Sequence, residues 1–276
     1  MKTTGKLLAL SLALLLFLTL LPGCGKSPEG MELYFFAAGK ADAILITAPG
    51  AAVMVDTGEK GFGKEILDYL EKKGIGKLDA LILTHFDKDH VGGAAKLLSG
   101  IPIDRVIQSN VPRDSGEYRD YVRALERAGL EAETPREPLT LSLGDLEIVV
   151  DPPKQEEYEK DPSNNSSLIV SVRYGDTSAL LTGDAEEERL AEWLEQEPGH
   201  YDLIKMPHHG SWEQPLSELL ALTEPQYAVL TDSEREPAAE KTIALLTSFR
   251  AETFSTKDGA LLFRSDGEGL IFIRQG

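Results

Sequence analysis

LDALILTHFDKDHVGG, residues 78 to 93, runs from a mostly apolar segment through two imidazoles and two carboxylates into a glycine pair. LDALIL has the length and composition of a buried strand, and VGGAAKLL reads as the start of a helix. His85, Asp87, Asp89 and His90 therefore lie on a strand-to-helix turn. Imidazole nitrogen and carboxylate oxygen suit Zn²⁺ and also Mn²⁺ or Fe²⁺. At an extended strand end His85 and Asp87 point one way while Asp89 and His90 turn toward a neighbouring point, so one short loop can feed two ions. The plainer alternative makes Asp89 a helix N-cap, His85 a core residue and the remainder an exposed polar turn.

Outward from this turn, strand-length apolar runs alternate with helical patterns. MELYFF, AILIT and AVMVD come first, then GKEILDYLEKKG, whose Ile66, Leu67 and Leu70 form one apolar face. A helix through Ala94 to Leu98, the run RVIQS and a helix over 117 to 128 follow. LTLSL, LEIVV, LIVSVRY and SALLT make a strand-rich middle, punctuated by Gly, Asp and Pro. Alternation resumes with a helix over 185 to 196, YDLIKM, PLSELLALT, YAVLT, a helix over 237 to 249 and the strands AETFST, ALLFR and GLIFIR. This pattern predicts an α/β (α+β) chain of two packed sheets flanked by helices.

Other polar groups also follow apolar runs. VMVDTG carries Asp56, ALLTGDA carries Asp184, and IKMPHHGS carries His208 and His209, while DPSNNSSLIV sets Asn164, Asn165, Ser166 and Ser167 before a strand. Loops at strand ends are where a rigid sheet converges distant groups. Four of the 5 histidines fall in two such motifs, leaving His200 as an ordinary surface residue. Asp184 as a bridging carboxylate and a histidine from HHG would complete two metal shells. Taken singly, Asp56 and Asp184 read as turn or capping residues beside Gly, and the Asn-Ser tract as an Asx turn.

The 276 residues, 42% hydrophobic and 7% aromatic, support a packed core. A formal charge of −18 argues against a basic DNA-binding groove, though not against a metal-centred site that handles one phosphate at a time. Lys2 and Lys6 precede an apolar stretch from Leu7 to Leu21 that is short for a membrane span and suits an export signal over residues 1 to 23. Cys24, the sole cysteine, follows L-P-G in a context resembling a bacterial lipobox; lipidation there would anchor the exported chain to the outer face of the cytoplasmic membrane, and without it the chain would be secreted. Residues 24 to 30 read as a linker and 31 to 276 as the folded domain.

The ordered set DTG, THFDKDHVGG, NSSL, LTGD and HHGS resembles the metallo-β-lactamase superfamily. Within it, the chain is similar to the extracytoplasmic hydrolase domain of ComEC-type competence proteins, and GKADAILI (39 to 46) resembles the stretch that opens that domain. The resemblance covers nearly everything from Met31 onward. It implies an αββα sandwich with the site at one edge of the sheets and one or two divalent ions, Zn or Mn. His85 and Asp87 resemble ligands of the first ion, Asp89 and His90 of the second, Asp184 the bridge, and either His208 or His209 the last ligand. The superfamily's usual HxHxDH is HxDxDH here, and the histidine expected before TGD is replaced by the Asn164/Asn165 region. Both departures are typical of the ComEC-like branch. They give the first ion a more oxygen-rich shell and favour manganese there over zinc.

The implied chemistry is phosphodiester hydrolysis, with nucleic acid (DNA) as substrate, by a metal-bound hydroxide that Asp89 or Asp184 holds in line. His209 would protonate the leaving oxygen, and Asn164, Asn165, Ser166, Ser167 and Ser211 would hydrogen-bond the substrate. The competing expectations are a cell-envelope phosphoester, lactam or lactone hydrolase on the same centre, and a non-catalytic binding lipoprotein. Oligomeric state is left open by the sequence.

Overall fold

The computed structural model describes residues 29 to 155 and 157 to 274. The expected export signal, Cys24 and most of the expected linker lie outside the described residues. Among the described residues, no helix is long and apolar enough to cross a membrane.

In the first sheet, β1 (Met31–Phe35), β2 (Ile44–Ala48) and β3 (Ala51–Val55) form an antiparallel meander. β4 (Ala80–Leu83), β5 (Val106–Gln108) and β6 (Ala132–Glu133) extend it parallel to β3. β14 (Leu261–Ser265) and β15 (Leu270–Ile273) return to the far edge beside β1. The second sheet repeats the scheme. β7 (Leu139–Leu143), β8 (Leu146–Asp151), β9 (Ile169–Tyr174) and β10 (Thr177–Leu181) are antiparallel, and β11 (Leu203–Lys205), β12 (Tyr227–Leu230) and β13 (Glu252–Ser255) continue parallel to β10.

Period-two alternation explains the near-continuous apolar runs, because both faces of the central strands are covered. Leu33, Ile46, Val53 and Ile82 meet Ile148, Val170, Leu181 and Val229 between the sheets. Tyr34, Leu45, Met54 and Leu81 face outward to α1 (Gly63–Lys73), α3 (Ala94–Gly100) and α4 (Gly116–Ala128). Leu180, Ile204 and Ala228 do the same for α6 (Glu187–Leu194), α7 (Leu216–Thr223) and α8 (Glu240–Phe249). The result is the expected αββα sandwich. Each buried Leu or Ile stabilises it by roughly 1.5–3 kcal/mol.

Differences from the sequence reading are local. In α1, Ile66 and Leu70 are buried, while Leu67 is partly covered. The helix expected from Pro237 begins at Glu240, because Ala238 N donates to Asp232 Oδ2 and Ala239 N to the Gly210 carbonyl, which hold 238 and 239 out of helical geometry. The expected helix over 185 to 196 is α6, two residues shorter at each end. Two single-turn helices, α2 (Lys88–Val91) and α5 (Pro162–Asn165), carry too little periodic sequence to be read in advance.

Candidate metal centre

The centre sits where loops leaving β3, β4, β10 and β11 meet. β3 ends in Asp56, fully buried with a left-handed φ of 54°. Its Oδ1 accepts from Thr84 N at 2.8 Å, and its Oδ2 accepts from Thr84 Oγ1 at 2.7 Å and lies 2.8 Å from His90 Nδ1. Thr57 donates its N–H and hydroxyl to the His90 carbonyl at 2.7 and 2.8 Å. DTG and HFDKDH are therefore one unit, and the glycines after it let the two loops touch. A Cβ on Gly93 would stand 2.3 Å from the Thr57 carbonyl oxygen, and one on Gly92 would stand 2.4 Å from Lys60 N.

The second sheet supplies the opposite wall. Asp184 N donates to Ser167 Oγ at 3.2 Å in the turn after β10. After β11, the 3-10 turn Pro207–Gly210 holds His208 (φ 45°) and His209 (φ 55°) in left-handed conformations. Such residues cost about 1–3 kcal/mol each and persist only where surrounding bonds over-determine them. Here His208 N donates to Gly183 O, Ser211 N to His208 O and Ala239 N to Gly210 O.

Asp89, His90, Asp184 and His209 converge, with their ligand atoms all within 4.8 Å of one another. His209 Nε2 lies 3.0 Å from Asp184 Oδ2 and 3.4 Å from Asp89 Oδ2, and His90 Nε2 lies 3.2 Å from Asp184 Oδ2. Two ligands about 2.1 Å from one ion, subtending about 90–109° at it, stand roughly 3.0–3.4 Å apart. The observed spacing is that of groups sharing an ion. The Nε2 atoms of His85, His90 and His209 are buried and make no hydrogen bond. Their Nδ1 atoms are held instead, by Thr84 Oγ1 at 3.2 Å, by Asp56 and by Thr231 Oγ1 at 3.0 Å respectively. An anchored Nδ1 fixes the ring and leaves the Nε2 lone pair for a cation. The residues at this position fit a divalent metal.

Charge is arranged accordingly. Burial opposes charge on His209, but Asp184, Asp42 and Asp89 outweigh it and raise its pKa to about 10. For His90 burial is likewise overcome, by Asp184 and Asp56, and its pKa stands well above the usual value. Burial works against the Asp184 carboxylate, yet His209, His90 and Lys205 hold its pKa well below the ordinary range. His85 goes the other way: burial first and the neighbouring His90 second push it down to about 3, so it is a neutral imidazole.

The remaining expected site residues are distributed as follows. Asp87 occupies the N-cap position of α2 without capping it, and Asp89 lies inside the first turn, so the N-cap alternative for Asp89 does not hold. Asp87 Oδ1 instead takes Arg113 Nη1 at 2.6 Å and the Ser163 hydroxyl, 3.9 Å from His85 Nε2. His208 stands apart from His209, beside Glu186 Oε1 at 3.0 Å and Glu213 Oε1 at 3.9 Å. Burial notwithstanding, these carboxylates raise its pKa to about 9. Asn165 and Ser166 are fully buried: Asn165 accepts from Arg189 N and donates to Lys160 O, and Ser166 donates to Ser163 O. Ser167 touches the centre, 3.4 Å from His85 Nδ1. Asn164 donates to Glu186, and the Ser211 N–H to the His208 carbonyl.

Three contributors escaped the sequence reading. Lys205 is fully buried, with Nζ 2.6 Å from Asp42 Oδ2, 2.8 Å from Gly183 O and 3.4 Å from Asp184 Oδ1. Asp42 also lies 3.4 Å from His209 Nδ1. A lysine inside the apolar run YDLIKM was the available signal, since a buried lysine needs a carboxylate partner. Arg113, in a loop without periodicity, left none.

The family model for the metallo-beta-lactamase superfamily matches residues 37–230. Among characterised proteins, the chain is 31% identical to ComE operon protein 3 of Bacillus subtilis over 226 residues, 74% of this chain and 28% of that one. It is 30% identical to Recombination protein 2 of Haemophilus influenzae, over 72% of this chain and 24% of that one. Competence protein ComA of Neisseria gonorrhoeae is 24% identical over 85% of this chain and 31% of its own length. These relatives are competence proteins of the ComEC type, and the chain spans less than a third of each. In structure, the metallo-beta-lactamase fold protein YhfI from Bacillus subtilis superposes with a TM-score of 0.58 at 11% identity, over 86% of this chain and 100% of that one. CmlA, a diiron beta-hydroxylase from Streptomyces venezuelae, gives 0.55 at 16% identity over 87% and 55%. These two likenesses concern the fold alone. With the motifs of DTG, HFDKDH, TGD and HHGS assembled at one edge of two sheets and the family model matching most of its length, the chain belongs to the metallo-beta-lactamase superfamily.

Proposed function

We propose that this protein is a metal-dependent phosphodiesterase acting on nucleic acid, exported and tethered to the outer face of the cytoplasmic membrane through a lipid on Cys24. The observation that carries the reading is the convergence of Asp89, His90, Asp184 and His209 with two inward, unpartnered imidazole nitrogens. Choice of a phosphodiester rests on relatives whose names concern competence and recombination. A divalent ion held there, manganese or zinc, would supply Lewis acidity, bringing the pKa of water down toward neutrality and offsetting charge that grows on phosphoryl oxygens.

The chain's own groups divide the remaining work. Asp56 orients His90, and Thr231 with Asp42 orients His209. Asp89, the most exposed of the four converging residues at 20%, faces the substrate side and holds the nucleophile in line; Asp184, nearly buried, is the inner anionic ligand. His209 cannot both give its Nε2 lone pair to an ion and carry an acidic proton there. His208, half-buried and protonated, keeps a proton near the rim. Asn164 and Ser211, which border His208 through Glu186 and the backbone, are the substrate hydrogen-bonding groups of this reading.

A formal charge of −18 favours a second reading, a small cell-envelope phosphoester in place of a long polyanion. Purified protein incubated with single-stranded DNA, bis-p-nitrophenyl phosphate, a choline phosphoester or nitrocefin, with Mn²⁺ or Zn²⁺, separates the readings. Turnover of DNA and of the model diester, abolished in His90→Ala, is expected. No turnover of either under any metal refutes the phosphodiesterase reading, and turnover of the choline ester alone supports the second.

A further inference from the structure

A superfamily centre with two ions needs a first position, which in this chain falls to His85, Asp87 and one oxygen of Asp184. Each candidate ligand there is compromised or isolated. Asp87 Oδ1 already binds Arg113 Nη1 at 2.6 Å and the Ser163 hydroxyl. Asp184 Oδ1 is 3.4 Å from Lys205 Nζ, so only Oδ2 is turned to the imidazoles. The groups of three or more ligand side chains that converge among the described residues do not join His85 to Asp87. Asn165, in the region that replaces the missing histidine, is tied to Arg189 N and Lys160 O. The Arg113 guanidinium therefore sits on the Asp87 oxygen that a first ion would use, and the Lys205 ammonium sits beside the Asp184 oxygen that would bridge to it.

We propose that the centre holds a single divalent ion, at Asp89, His90, Asp184 and His209, and that Arg113 takes the first ion's place, presenting its guanidinium to a phosphoryl oxygen of the substrate. This rests on the phosphodiesterase reading and sharpens it. Arg113 is suited by chemistry and exposure. Its side chain is 44% exposed, one carboxylate oxygen anchors one of its nitrogens, and the planar fork has further N–H donors for a phosphate. Asp87 thereby becomes the positioning residue of an arginine rather than a metal ligand. His85 Nε2, buried and unpartnered, is left to accept a hydrogen bond from the attacking water.

Full-length protein saturated with Mn²⁺ and then desalted tests this by elemental analysis and electron paramagnetic resonance. One manganese per chain with an isolated-ion spectrum is expected, retained in His85→Ala and lost in His209→Ala. Two per chain with an exchange-coupled spectrum overturns the proposal while leaving the phosphodiesterase reading standing; no bound manganese or zinc overturns both. For the arginine, the readout is inorganic phosphate binding to the manganese-loaded protein by calorimetry. Arg113→Met is expected to keep its manganese and its melting temperature but to bind phosphate roughly 10- to 100-fold more weakly, as loss of a charged hydrogen bond implies. Unchanged phosphate affinity in Arg113→Met refutes the arginine's role.

Discussion

Asp56→Asn is the sharpest probe of how the centre is built, because it changes one buried atom and no volume. Asp56 Oδ1 accepts from the Thr84 backbone, so in the variant the amide oxygen stays there and the NH₂ takes the Oδ2 place. That NH₂ then faces Thr84 Oγ1 and His90 Nδ1, at 2.7 and 2.8 Å in the wild type. The threonine hydroxyl rotates and accepts. His90 Nδ1 must also accept, which moves the ring proton to Nε2, the atom that faces Asp184 Oδ2 and the ion. Loss of such an orienting partner costs about 10- to 100-fold in metal affinity, or roughly 1.4–2.8 kcal/mol. Competition with a fluorescent chelator measures the affinity, and a thermal melt of the metal-free protein checks that the fold survives. Wild-type affinity in a folded Asp56→Asn would refute the claim that the DTG carboxylate controls the ligand tautomer.

Other outcomes follow from the same geometry. Lys205→Met leaves Asp42 buried without its cation and should lower unfolding stability by about 3–5 kcal/mol, with Asp42→Asn recovering part of it in a denaturant double-mutant cycle. Gly93→Ala drives a methyl into the Thr57 carbonyl; a loss of roughly 1–3 kcal/mol in chemical unfolding, with weaker metal binding, is expected. In the metal-free protein the raised pKa of His209 contributes stability that is full below about 6.5 and lost as pH rises toward about 10, so the melting temperature should fall across that window. Metal binding must displace that proton, and calorimetry in buffers of different ionisation enthalpy should register proton release near neutral pH.

The sheets were legible because apolar runs covered on both faces, such as AILIT and AVMVD, have one physical explanation, and the turn after LDALIL located the centre for the same reason. Which histidine of HHG enters the centre was not legible. The choice depends on two left-handed residues in succession, and their φ angles follow from bonds to Gly183 and Ala239, far off in sequence. Asp87 illustrates another limit. Arg113 and Ser163 meet its carboxylate from loops whose own sequence gives no notice of it.

Both sheets change from antiparallel to parallel pairing at one point, between β3 and β4 in one and between β10 and β11 in the other. In α/β sheets, ligands collect beyond the carboxyl ends of the parallel strands, which begin at this point in each sheet. Asp56 and the HFDKDH loop leave β3 and β4 there, Asp184 and HHG leave β10 and β11, and Arg113 and Thr231 follow β5 and β12 on the same edge. Asp42 precedes β2, which runs antiparallel to β3, and so reaches that edge from the other direction. The position of every residue at the centre, including those the motifs did not reveal, thus follows from strand direction. The same placement brings Asp89, His90, Asp184 and His209 together between the two sheets, and it sets Asp87 beside Arg113 from the loop after β5.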